Sequence, residues 1–210
     1  EKNEEAFKPF AGWGKYSLPG SLVIYSILAD NEDRIWVGTY ANGLYLINQK
    51  KLQIQHFVYD VKNPFSLGFN DVLSIKKDNK GGIWIGTDGG GVSYFNERLN
   101  FFRQFSERNI ADNISIDQIR SIVKDQENRL WLGTSGKGLT KIDLQSNTVT
   151  TFHLTPYKNG VPNFDRIVSL FNNNKNTIWA GTQGNGLLLL RKSDGSVVKW
   201  FHTEAKNKIT

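Results

Sequence analysis

The segments RIWVGTYANGLYLIN (34–48), GIWIGTDGGGVSYFN (82–96), RLWLGTSGKGLTKID (129–143) and TIWAGTQGNGLLLLR (177–191) are four spellings of one phrase. Their tryptophans, Trp36, Trp84, Trp131 and Trp179, stand 48, 47 and 48 residues apart. A chain that repeats at such a period stacks one supersecondary unit several times, so the fold of the unit decides the fold of the whole. The repeat extends beyond the phrase. A serine stands ten residues before each tryptophan (Ser26, Ser74, Ser121, Ser169), and a phenylalanine follows at 21, 21, 21 and 22 residues (Phe57, Phe105, Phe152, Phe201).

Each unit holds four short apolar runs, named A to D; in the second they fall at 72–77, 82–87, 91–96 and 101–105. They are rich in Ile, Val, Phe, Trp and Tyr and bounded by Asn, Asp, Gly and Lys, which is strand composition. No segment keeps an apolar period of 3.6 over a helical length. Four antiparallel strands per unit predict an all-β fold, a β-propeller of four-stranded blades. The blade units run 22–59, 70–107, 117–155 and 165–203. Inner strands that are apolar on both sides, as in VLSI and IVSL, suit blades buried on both faces.

Residues 5–12 have the character of a strand D of a preceding blade, because Phe10 precedes Ser26 by 16 residues, as Phe105 precedes Ser121. Five D strands against four sets of A, B and C predict a fragment of a larger propeller, with two blade faces open or covered by another chain.

Three consecutive glycines in IWIGTDGGGVSYFN raise the question of a phosphate-binding loop. A Walker loop needs Lys and Ser or Thr after its last glycine, and Gly91 is followed by Val92 and Ser93. A dinucleotide fingerprint needs a helix next, and a strand follows. The four loops share only their final glycine (Gly43, Gly91, Gly138, Gly186), which predicts a turn residue with positive φ. Asp30, Asp78, Asp125 and, in the fourth copy, Asn173 mark the A-to-B turn, where such side chains bond their own backbone. The tryptophan is large enough to fill the wedge between blades.

Composition narrows the chemistry. There is no cysteine, and the three histidines each stand beside an aromatic, so neither a metal site nor a cofactor is expected. The net charge of +6 is spread in ones and twos rather than in a stripe, which argues against nucleic acid. No apolar run is long enough to span a bilayer, so this segment is expected to make no membrane contact. Lys50, Lys51, Arg98 and Lys192 fall in C-to-D turns and are expected to be solvated.

The pattern Ile-x-Ser-Ile-x-x-Asp-x-x-x-x-Ile-Trp-Ile-Gly-Thr-x-x-x-Gly-Val-x-x-Phe, approximated by residues 72–95, resembles the two-component-regulator propeller repeat. The resemblance covers about 190 of the 210 residues. It implies the periplasmic sensor of a hybrid two-component system, whose propellers usually have seven blades, are often dimeric and typically recognise oligosaccharides. It implies, further along such proteins, a membrane helix, a histidine kinase and a response regulator. The partners expected are therefore an oligosaccharide and either a second copy or the remaining blades.

Propellers tend to hold ligands on the face carrying the D-to-A and B-to-C loops. What all units share is scaffold; what differs in those loops is where specificity resides. Directly after Gly-Thr stand Tyr40, Asp88, Ser135 and Gln183, of which Tyr40, Asp88 and Gln183 are candidate ligand contacts. The D-to-A loops add Trp13, Tyr16, Phe69, Asn70, Asp117, Tyr157, Asn163, Asp165 and Arg166. Aromatic rings pack on the apolar face of a pyranose, and amides, carboxylates and Arg take its hydroxyls. No catalytic residue is expected. A propeller-type glycosidase or lyase is the enzymatic alternative, with Asp117 and Asp165 as the available carboxylates; a protein-binding scaffold is the third.

Overall fold

The computed structural model describes residues 17–30, 33–98, 101–105, 118–146, 148–154 and 164–202. The described residues form sixteen strands and no helix, in four four-stranded antiparallel sheets. The first sheet is β1 (Ile24–Ala29), β2 (Arg34–Thr39), β3 (Leu44–Asn48) and β4 (Gln53–Phe57). The second is β5 (Val72–Lys77), β6 (Ile83–Thr87), β7 (Val92–Asn96) and β8 (Phe101–Phe105). The third is β9 (Ile119–Lys124), β10 (Arg129–Thr134), β11 (Leu139–Asp143) and β12 (Thr148–Phe152). The fourth is β13 (Ile167–Asn172), β14 (Thr177–Thr182), β15 (Leu187–Arg191) and β16 (Val197–Phe201). Each sheet is a meander in sequence order, and β1 packs beside β5, β5 beside β9 and β9 beside β13. The expected outer strand at 5–12 lies outside the described residues.

The core is a set of layers between sheets. Alternation along each inner strand sends side chains to both neighbours: Ile83 and Ile85 of β6 join Trp36, Leu44 and Phe95, while Trp84 joins Ile119, Leu130 and Ile142. Trp131 sits with Ile167, Ile178 and Leu190 in the next layer.

The Trp-x-Gly-Thr phrase has a physical reason at each position. The glycine is a point of contact between blades. A Cβ on Gly86 would lie 2.4 Å from Ser74 Oγ and 2.7 Å from Ile119 Cγ2, and Gly38 and Gly133 are blocked the same way by Val72 and Ile167. The serine reaches across that contact: Ser26 and Ser74 donate to the carbonyls of Val72 and Ile119, each at 3.5 Å. The threonine closes the B-to-C loop, donating from Oγ1 to the carbonyl of the shared glycine at 2.7, 2.9, 2.9 and 2.8 Å in the four copies. That glycine has φ between 70° and 80° in all four, a backbone that a side chain would strain.

The two end blades present halves of this contact. Val72, Ile119 and Ile167 are wholly buried against a preceding glycine, whereas the equivalent Ile24 is 47% exposed. At the far end Gly181 meets, among the described residues, only Ser169 of its own blade, and Phe171 is 67% exposed.

The tryptophan fills the wedge and does more. Its indole donates to the A-to-B turn aspartate, Trp36 to Asp30 at 3.2 Å, Trp84 to Asp78 at 3.1 Å and Trp131 to Asp125 at 2.8 Å. The other carboxylate oxygen of Asp78 and of Asp125 takes two backbone N–H groups of its own turn. In the fourth copy Asn173 instead donates to Thr177, and Trp179 is only half-buried.

One charged turn departs from expectation. Lys192 is not solvated: its side chain is 3% exposed, with Nζ 3.5 Å from Asp125 and 2.7 Å from Asn172 Oδ1. The following turn folds back, with Gly195 N–H on the Arg191 carbonyl, and carries the lysine under the third blade's aspartate. The +6 net charge thus includes a cation spent on joining blades.

Candidate functional site at the inner rim

The four positions after Gly-Thr share one backbone arrangement. The N–H of Tyr40, Asp88, Ser135 and Gln183 donates to the carbonyl of Val23, Asp71, Gln118 and Arg166, respectively, at 2.9, 2.9, 3.1 and 2.9 Å. Each acceptor stands three residues before its strand A serine. Asp88 also bridges to Gln118, and Ser135 to Arg166, across blades. The loop residues and the entries to the innermost strands therefore alternate along one rim. Its backbone is constant while its side chains are not: Tyr40, Asp71, Asp88, Gln118, Ser135, Arg166 and Gln183.

The side chains are accessible. Tyr40, Gln118, Arg166 and Gln183 are exposed, and Asp71, Asp88 and Ser135 are half-buried. Tyr40 meets Tyr25 edge-on with ring centroids 5.9 Å apart, and the two rings are 52% and 50% exposed. Asp71 is partly committed, its carboxylate accepting the Ala41 N–H at 2.5 Å. Carboxylates lie on the second-blade side of the rim and the Arg166 guanidinium toward the fourth, so the rim is polar along its length. Among the described residues no group of three His, Asp or Glu side chains could hold a metal ion.

Two D-to-A candidates are occupied in building this rim. Asn70 Oδ1 accepts the Tyr59 N–H at 2.7 Å while its carbonyl accepts that of Gly43 at 2.8 Å. Asp165 does the same two interfaces further along: Oδ1 accepts the Leu154 N–H at 2.8 Å, and its carbonyl accepts Gly136 and Gly138 at 3.0 Å. Both clamp a D-to-A loop onto the preceding blade's B-to-C loop, and Asp165 is buried. Phe69 is 38% exposed and lies on Gly89, where a Cβ would meet its ring at 3.3 Å; a Cβ on Gly90 would meet the Gly68 carbonyl at 2.4 Å. The extra glycines of the second loop are therefore a requirement of close approach. Trp13, Tyr16, Asp117, Tyr157 and Asn163 lie outside the described residues.

Tyr25, Asp71 and Gln118 were not among the sequence candidates. The signal for the latter two was present, since a residue three before each serine faces the variable loop position in every copy.

Fold and rim define the class: a segment of β-propeller whose inner strands are apolar scaffold and whose loops carry the variation. The family model described as two component regulator propeller matches the chain at residues 17–41, 66–89 and 113–136. Among solved structures the chain is similar to the extracellular domain of the hybrid two component system BT3049 from B. thetaiotaomicron, with TM-score 0.72, 21% identity, and 94% of this chain and 25% of that one covered. It is similar also to the corresponding domain of BT4673 from the same organism, with TM-score 0.63, 21% identity, and 86% and 24% covered. Virginiamycin B lyase from Staphylococcus aureus shares the fold at TM-score 0.63 and 15% identity, over 88% and 57%. The chain spans about a quarter of the length of the two-component domains it resembles. No curated protein matches the sequence.

Proposed function

We propose that this chain is the ligand-reading part of an extracytoplasmic sensor in a hybrid two-component regulator, and that it binds an oligosaccharide at the inner rim without turning it over. The observation that carries the proposal is the rim itself: one backbone bridge repeated four times, bearing four different side chains at the same point. A scaffold that needed nothing there would have no cause to vary between tyrosine, carboxylate, hydroxyl and amide while keeping the bond. The exposed Tyr40–Tyr25 pair offers a pyranose an aromatic face. Asp88, Gln183 and Arg166 offer its hydroxyls acceptors and donors. Further blades of the same kind would cover Ile24 at one end and Gly181 at the other, completing a larger, seven-bladed ring in the periplasm.

Non-catalytic binding is the better match to these residues. A glycosidase needs two carboxylates placed across the scissile bond, and Asp165, one of the two anticipated, is buried with its oxygen on Leu154 N–H.

Asp88→Ala in the intact protein tests the rim. Among the described residues its side chain makes no hydrogen bond to the scaffold, so thermal stability should move by no more than about 0.5 kcal/mol. Affinity for the recognised oligosaccharide should fall about ten-fold, the worth of one hydrogen bond to a charged group. Unchanged affinity would return the hairpin to scaffold.

A further inference from the structure

A second cavity chemistry lies on the opposite side of the blades, between the second and third sheets. Two residues before the motif tryptophan the copies read Arg34, Gly82, Arg129 and Thr177. Arg34 and Arg129 each lay their Nε 2.9 Å from the turn aspartate and fill the space beside it. In the second blade glycine leaves that space to Tyr94, whose Oη would sit 2.1 Å from any Cβ on Gly82. Beyond Tyr94 opens a cavity of about 330 Å³, at the lower end of the roughly 300–1,000 Å³ of small-ligand sites.

Its walls combine aromatic surface with fixed charge. Trp84, Tyr94 and Arg103 form one row across β6, β7 and β8, since Trp84 pairs with Tyr94 and Tyr94 with Arg103. Phe101 and Phe105 share the Arg103 face of β8 and line the same cavity. Arg103 is exposed and stands over Phe105, 5.2 Å from its centroid. Across the gap the third blade contributes Lys124, Leu144 and Asn128.

The charges do not balance toward the ligand. Burial alone would push the Asp78 carboxyl up, but the N–H groups of Trp84, Lys80 and Gly82 and the Lys124 ammonium hold it below the usual carboxylate range. Asp78 is thus ionised and fully engaged, and Lys124, 3.5 Å away, is its counter-ion. Among the described residues the cations left facing the cavity are the Arg103 guanidinium and the Lys80 side chain at its edge. A planar guanidinium takes a carboxylate through two parallel bonds, and the rings beside it suit the apolar face of a pyranose.

We propose that this cleft binds an acidic saccharide, a pyranose bearing a carboxylate, with Arg103 on the carboxylate and Tyr94 under the ring. The site is independent of the rim. Methyl β-D-glucuronide and its neutral counterpart methyl β-D-glucoside are the probes, titrated into the intact protein with saturation-transfer NMR as the readout. The glucuronide should bind at least ten-fold more tightly than the glucoside. Arg103→Gln, at an exposed position, should remove that preference. Gly82→Arg combined with Tyr94→Leu, which copies the first blade's Arg34 and Leu46, should fill the cleft and abolish binding while the fold is kept. Asp88→Ala should leave it unchanged. Equal binding of the two glycosides, no binding of either, or retention by both cleft variants overturns the proposal; loss on Asp88→Ala places the sugar on the rim instead and overturns it as well.

Discussion

Asp125→Ala is expected to destabilise the protein by about 3–5 kcal/mol, the cost of removing one partner from a buried ion pair. The carboxylate is 2% exposed and the Lys192 ammonium facing it 3%. Burial pulls the Lys192 ammonium below its ordinary value of 10.5 although Asp125 pulls the other way. Without Asp125 the burial penalty loses the attraction that chiefly opposes it. The variant also loses the acceptor for Trp131 Nε1 and for the Glu127 and Arg129 N–H groups. Denaturant unfolding should show a lower midpoint. It should also show stability rising as pH increases above neutral, because the folded state then holds Lys192 with fewer protons than the unfolded chain does. In the parent protein the acid side carries the complementary signature. Asp78 and Asp125 are both held below their ordinary 3.8, burial being outweighed by their donors. Their contribution is therefore complete above about pH 4 and is lost as pH falls through the folded values.

Trp131→Ala should cost a similar amount, about 3–5 kcal/mol, for a different reason: a buried aromatic leaves a cavity that a packed sheet layer closes poorly. Trp131 is 0% exposed, stacks on Phe152 at 6.1 Å, and lies under Lys192 and Lys141 at 5.8 and 6.0 Å. Because its indole also donates to Asp125, the two substitutions share an interaction and their costs should not add. Trp179→Ala gives the contrast. Its blade has Asn173 for aspartate and no following sheet among the described residues, so its loss should be clearly smaller. Equal losses at the two tryptophans would mean that the wedge between blades is not what the residue is for.

The repeat made the fold legible. Period, strand composition and the shared glycine were all visible in the chain, and the sheets follow them with strands B and C of the second unit beginning one residue later than expected, at Ile83 and Val92. The positions that bind one blade to the next were legible only as constants without a cause. Nothing local says that the motif glycine faces a β-branched residue 34 positions later, as Gly38 faces Val72. Equally, the aspartate was recognised as a turn residue but not as the acceptor for the indole six residues on. The fixed Asp-to-Trp interval was the available signal. Lys192 escaped because its lysine stands in a turn by sequence, and only the fold brings that turn under Asp125. At the rim, the residues after Gly-Thr were legible through variation, whereas Asn70 and Asp165 could not be separated from ligand residues, since an amide or carboxylate that clamps a loop has the same chemistry as one that holds a sugar.

The most direct measurement is an oligosaccharide screen by titration calorimetry on the intact protein, followed by chromatography of the mixture. Specific heat with a defined glycan, its recovery unchanged, and loss of that heat when Tyr40, Asp88 and Gln183 are replaced together by alanine is the predicted result. Cleaved product, or silence across glycans with self-association instead, would contradict a sensing rim.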